Sequence, residues 1–122
     1  MNLSRILISP LTLALVLAVP CISHAGFFDG YQLKEWSDAS DRIDSGKYAA
    51  GDSYNSAKFA GYVLGAHDTL EGMLVCIPAN AKAGQLMAVV GKYLRENPDQ
   101  WDKAGFLLVG KALSSAFPCQ KK

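Results

Sequence analysis

The chain has 122 residues, half of them hydrophobic, with 12 basic and 11 acidic side chains and a formal net charge of +1. So even a balance supplies no phosphate-binding footprint and excludes nucleic acid as the natural partner.

The first 25 residues form a unit of their own. Arg5 stands behind a short polar start, Ile6 to Pro20 is an apolar run, and Ser23-His24-Ala25 precedes Gly26. This is the three-part pattern of a secretory signal peptide, its core interrupted by Pro10 and Pro20 and too short for a stable membrane span. The expected mature chain is residues 26–122, a single domain with no membrane segment. Removing Arg5 leaves eleven basic and eleven acidic groups. They are unevenly spread: acids dominate from Asp29 to Asp52 and bases from Lys82 to Lys122.

Cleavage also removes Cys21, and export places the remaining pair in an oxidising compartment. A Cys76–Cys119 disulfide is therefore expected. Zinc is the rival use of two cysteines, but only His67 would accompany them, which is a poor ligand set. Neither metal nor cofactor is expected.

From Tyr31 to about Ser45 the stretch holding Leu33, Trp36 and Ile43 reads as a first helix, with Asp29 as its cap. The link to Ser53, with Ser45-Gly46 and Gly51-Asp52, is the expected flexible segment. Phe59, Tyr62, Val63, Ala66, Leu70, Met73 and Leu74 then recur at intervals of three and four, which predicts a long helix from Tyr54 to Val75. Within it Ala57, Gly61, Gly65 and Thr69 form a stripe of small side chains. Glycine costs about 1 kcal/mol in a helix, so close packing is the first explanation, with an internal helix favoured over a second subunit as the neighbour.

Ile77-Pro78-Ala79-Asn80 breaks the pattern. It resumes from Ala83 to Asn97, with Leu86, Val89, Val90, Tyr93 and Leu94 on one side. Asn97-Pro98 separates this helix from a last one, Pro98 to Phe117, which Pro118 ends. No run alternates at the strand period, so the expected fold is all-α, a compact bundle of about four helices closed by one disulfide.

Titratable groups for catalysis are few. Asp68 points about 100° away from His67 around a helix and is not expected to pair with it, while Glu71 lies one turn on, where a surface contact is the ordinary reading. Ser114 and Ser115 sit on a helix with no turn to expose a nucleophile. The chain does not read as an enzyme. Tyr31, Tyr48, Tyr54, Tyr62, Tyr93, Trp36 and Trp101 are many aromatics for so small a domain, which points to a protein partner, with Tyr62, Tyr93 and Trp101 assigned to the core.

Gly61-Tyr62-Val63-Leu64-Gly65, Asp68, Cys76-Ile77-Pro78, Gln85-Leu86, Val89-Val90, Lys92-Tyr93-Leu94, Asn97-Pro98, Ala112-Leu113 and Ala116-Phe117-Pro118-Cys119 follow one another in an order that resembles the Rap/Tai family. These are small periplasmic immunity proteins directed at cell-wall amidases delivered by type VI secretion. The resemblance runs from about Lys58 to Cys119. It implies an all-helical fold, commonly a homodimer, that binds its cognate amidase and occludes the catalytic cleft with a helix or loop, without activity of its own. Many family members carry two further cysteines, at places filled here by Ser37 or a neighbour and by Phe59, so packing of Trp36 has to replace a covalent tie on the first helix.

The contact residues expected for such a partner are Pro78, Ala79, Asn80 and Lys82 in the exposed connection beside the disulfide, with Tyr48 and Asp52 in the linker as second choice. A small periplasmic acid-stress chaperone, or an orphan binding protein with no cognate amidase, fits the same size, export and helices. The chaperone would use the acids between Asp29 and Asp52 as its low-pH trigger.

Overall fold

The computed structural model describes residues 26–120; the signal-peptide assignment lies outside them. Four helices follow in order, α1 (Gly30–Asp44), α2 (Asp52–Leu70), α3 (Ala83–Glu96) and α4 (Gly105–Ala116), with a 3-10 turn at Pro98–Gln100. The all-α bundle is as expected, and Cys76 and Cys119 are bonded. Among the described residues no helix is long and apolar enough to cross a membrane.

Helix α1 begins where the sequence places its cap. The Asp29 carboxylate accepts from Gln32 N–H at 3.0 Å, and the Gln32 side chain accepts from Asp29 N–H at 3.2 Å, so two of the free donors at the helix start are satisfied reciprocally. The next two donors explain a departure from expectation. Gly30 N–H reaches the Lys103 carbonyl and Tyr31 N–H the Trp101 carbonyl, while Gly105 N–H donates to Phe28. These pairings, with the Asp29–Ala104 bridge, interrupt the helix between the 3-10 turn and Ala104, whose ψ is 131°. The helix expected from Pro98 to Phe117 is therefore a 3-10 turn, a short crossing and then α4 from Gly105. The approach is close: a Cβ on Gly30 would lie 2.6 Å from Trp101 Cα.

Helix α2 ends at Leu70, five residues before the expected Val75. Gly72 adopts φ +76° and its N–H donates to the Val75 carbonyl, closing a tight turn that only a residue without Cβ enters easily. Val75 is thereby buried and bridged to Pro118, whereas Met73 and Leu74, placed on the core face by their spacing, are 67% and 60% exposed. Helix α3 opens with the Gln85 side chain accepting from Lys82 N–H, and Asn97 ends it by donating to the Tyr93 carbonyl.

The core gathers Leu33 and Trp36 from α1, Phe59, Val63 and Leu70 from α2, Leu86, Val90 and Leu94 from α3, and Leu108, Val109 and Leu113 from α4. Tyr62, Tyr93 and Trp101 pack against it half-buried, and the Trp101 indole donates to the Leu94 carbonyl at 2.8 Å.

Asp52, a second-choice contact residue of the linker, is only 3% exposed. Both its oxygens accept from the Arg42 guanidinium, at 2.9 and 2.6 Å, and one accepts from Ala49 N–H at 2.8 Å. A carboxylate so occupied joins α1 to α2 and faces inward on its protein donors. The Arg42 hydrogen bond, then that from Ala49, outweigh burial and hold its pKa at about 2. A depressed carboxylate pKa contributes stability above its unfolded value and loses it as pH falls through the folded one. Acid unfolding should therefore contain a component between about pH 4 and pH 2 that Asp52→Asn lacks; circular dichroism against pH measures it.

Candidate partner-binding surface

Two regions of the surface have the character of a contact site. The first is the connection that leads from α2 into α3. Cys76 is fixed by its bond to Cys119 and by its N–H to the Phe117 carbonyl at 2.9 Å. Beyond it Pro78, Ala79, Asn80 and Lys82 are all exposed, as expected, while Ala81 turns back to the core and donates its N–H to Pro78. The result is a short exposed segment between the bridge and the start of α3.

Its base carries a cluster of titratable groups. His67 Nδ1 lies 3.0 Å from Asp68 and Nε2 3.0 Å from Glu71. The pairing with Asp68 overturns the expectation from helical angles. Neighbouring Cβ atoms do diverge, but a planar ring on one and a rotatable carboxylate on the next still meet. Glu71 also accepts from Ile77 N–H at 3.3 Å through both oxygens.

The second region is the small-residue stripe. A Cβ on Gly61 or on Gly65 would meet nothing within 4 Å, so no internal helix packs there, contrary to expectation. The stripe instead floors a shallow groove of ≈ 290 Å³ with Tyr62, Ala66, Thr69 and Phe106 around it. It runs into a second groove of ≈ 440 Å³ between Phe28, Trp36, Tyr54 and Lys58. The Lys58 ammonium lies 4.1 Å from the Trp36 ring centre and 5.0 Å from that of Tyr54, a favourable cation–π geometry. Burial pushes the Tyr62 phenol above its ordinary pKa. The far end of the face carries exposed Leu74, Phe106 and Leu107.

The sequence reading missed this apolar face. A signal for it existed, because Phe106 and Leu107 fall off the line of Gly105, Leu108, Val109 and Ala112 that faces the core. Tyr48, the other linker candidate, is 68% exposed. It precedes α2, whereas the Glu71–Val75 turn follows it, a helix length of about 28 Å further along. No hydrogen bond or ion pair joins Tyr48 to the connection among the described residues.

Chemically, the surface offers binding groups more than reacting ones. The two cysteines are consumed by the bridge. Among the described residues no three His, Cys, Asp or Glu side chains are grouped to hold a metal ion.

Comparison with known proteins places this architecture. The family model described as Rap1a immunity proteins matches residues 29–119. It therefore takes in α1 from its capping aspartate, whereas the resemblance read from the residues alone started only at Lys58. No curated protein matches the chain.

Proposed function

From the premise that the chain belongs to the Rap1a immunity protein family, we propose that it is a periplasmic immunity protein that binds a peptidoglycan amidase effector of type VI secretion and occludes its catalytic cleft. The observation that carries this reading is the family match over residues 29–119, which covers every described helix. Immunity proteins act by binding a cognate effector, and an amidase that cuts peptidoglycan has to be met on the wall side of the inner membrane. The signal-peptide pattern of residues 1–25 supplies that location, and one disulfide suits its redox state.

The contact element in this reading is the connection Pro78 to Lys82, held at one end by the bridge and at the other by α3. A segment with fixed ends loses little conformational freedom when it docks, so more of its contact energy is retained as affinity. Tyr48 serves as a secondary contact. Tyr54, Phe106 and Leu107 on the open Gly61–Gly65 face suit a second copy of the chain, in keeping with a homodimer.

Co-production with candidate periplasmic amidases tests the proposal. Cells that lyse with the amidase alone should grow normally when the full precursor is present. Lysis unrelieved against every related amidase overturns the assignment. With the amidase identified, Lys82→Glu should weaken inhibition at least tenfold if the connection is the contact, and unchanged inhibition moves the contact elsewhere.

A further inference from the structure

Helix α2 turns its two sides to different surroundings. Val63, at its middle, is fully buried, and on the opposite side Tyr54, Ala57, Gly61, Gly65, Asp68 and Thr69 are exposed. Nothing in the chain covers the centre of that side, where a Cβ on either glycine would have open space. Exposed Phe106 and Leu107 of α4 extend it with apolar surface.

The residues of this face are placed symmetrically about Val63. Gly61 and Gly65 stand two residues before and after it, and Lys58 and Asp68 five before and after. At 100° per residue the glycines lie about 20° to either side of the line opposite Val63, and the charged residues about 40° to either side. At 1.5 Å per residue Lys58 and Asp68 stand about 7.5 Å from the centre, in opposite directions. A two-fold axis through the centre that runs two copies of α2 antiparallel exchanges the halves of the helix, as an isologous contact requires. It sets Gly61 of each copy against Gly65 of the other, and Lys58 against Asp68. A parallel pair would set like charge on like charge.

Both charges are available for such a contact. The Lys58 ammonium rests on the Trp36 and Tyr54 rings and pairs with no carboxylate among the described residues. The Asp68 carboxylate, hydrogen-bonded to His67, is still 80% exposed. Apart from Asp52, which Arg42 occupies, these two are the only Lys, Arg, Asp or Glu of α2. Glycines at the centre allow the helix axes to approach to about 8 Å, and at a shallow crossing of about +20° the two charged positions come side by side.

We propose that two copies of the chain pack antiparallel through α2, with Lys58 of each on Asp68 of the other fixing the register. This deepens, and rests on, the reading of the open face as one for a second copy. A slip of one helical turn in either direction separates both ion pairs at once, so the charges select one alignment of an otherwise smooth face.

Sedimentation velocity of the mature chain, residues 26–122, across roughly 1 to 100 µM is the test. The wild type should dimerise in this range, and less tightly in high salt. Lys58→Asp and Asp68→Lys each put like charges at both contacts, so each variant alone should raise the dimer Kd about tenfold. An equimolar mixture of the two variants restores both opposite pairs between unlike copies and should dimerise near the wild-type Kd. A role of either residue inside its own copy would not be rescued by mixing. Gly65→Leu meets no neighbour in its own copy and should give a monomer with the wild-type circular dichroism spectrum. A mixture no tighter than its components overturns the register; if Gly65→Leu still breaks the dimer, the reading of the face as one for a second copy stands. A wild type that is monomeric at about 100 µM, or a dimer that Gly65→Leu leaves intact, overturns both. A monomeric wild type whose binding to the amidase found by co-production is lost in Gly65→Leu assigns the face to the amidase and likewise overturns both.

Discussion

Replacing Cys76 and Cys119 together by Ala should lower the free energy of unfolding by about 4 kcal/mol, the chain-entropy value for a bridge closing a loop of this length, here a sequence separation of 43. Domains of this size have roughly 5–15 kcal/mol in total, so the variant should stand close to its unfolding threshold at 37 °C. The native contacts around the bridge explain why the effect arises chiefly in the unfolded state. Val75 still pairs with Pro118 and Cys76 N–H still reaches Phe117 once the sulfurs are gone, so the folded form loses little enthalpy. The unfolded chain gains the freedom of everything between the two positions, which includes α3 and α4. Thermal unfolding followed by circular dichroism, with and without reductant, measures this. The wild type should drop on reduction to the level of the double variant, and the double variant should ignore reductant. A difference below about 1 kcal/mol would show that the loop is already restrained in the unfolded ensemble.

Trp36→Ala should be of similar severity, about 3–5 kcal/mol, the range for truncating a large buried aromatic. Trp36 is 3% exposed on α1. Its ring meets Phe28 edge-on at 4.9 Å and Tyr62 at 6.2 Å, with Lys58 above it at 4.1 Å. One side chain thus holds the segment before α1, α1 itself and the middle of α2 together. Ser37 and Phe59 are both buried and line one cavity with Gly91 and Met87. In the absence of a covalent tie there, the docking of α1 rests on apolar burial, on the Arg42–Asp52 and Arg95–Asp41 pairs and on the Gly30 and Tyr31 amides. Urea unfolding gives the number, with Tyr48→Ala as the control. Tyr48 is exposed and its loss should stay within about 0.5 kcal/mol. A small effect at Trp36 would mean that α1 is held by its polar contacts.

The readable parts of this chain were those with local causes. Asp29 caps α1 because its carboxylate reaches three residues on, which needs no other part of the molecule. The periods of three and four in α2, α3 and α4 reflect a face that has to be buried, whichever neighbour buries it. Pairing of the two cysteines followed from their number and their expected compartment. The family, too, was legible, because glycines, prolines and cysteines in a fixed order carry its geometry.

The unreadable parts depended on residues far apart in sequence. Helix α2 stops at Leu70 because Val75 is required at Pro118, and α4 starts late because the carbonyls of Trp101 and Lys103 are taken by the first amides of α1. Gly72 permits the first of these breaks without demanding it, and nothing near Pro98 announces the second. Asp52 looks like any turn aspartate until Arg42, ten residues earlier, folds onto it. The glycine stripe promises close packing, yet whether a helix lies against it is decided by where the other three settle, and here they leave it open. Periodicity and capping are short-range and written in the chain. Where a helix ends, and which of its faces is left to the solvent or a partner, follows from hydrogen bonds and contacts that exist only once the four helices are together.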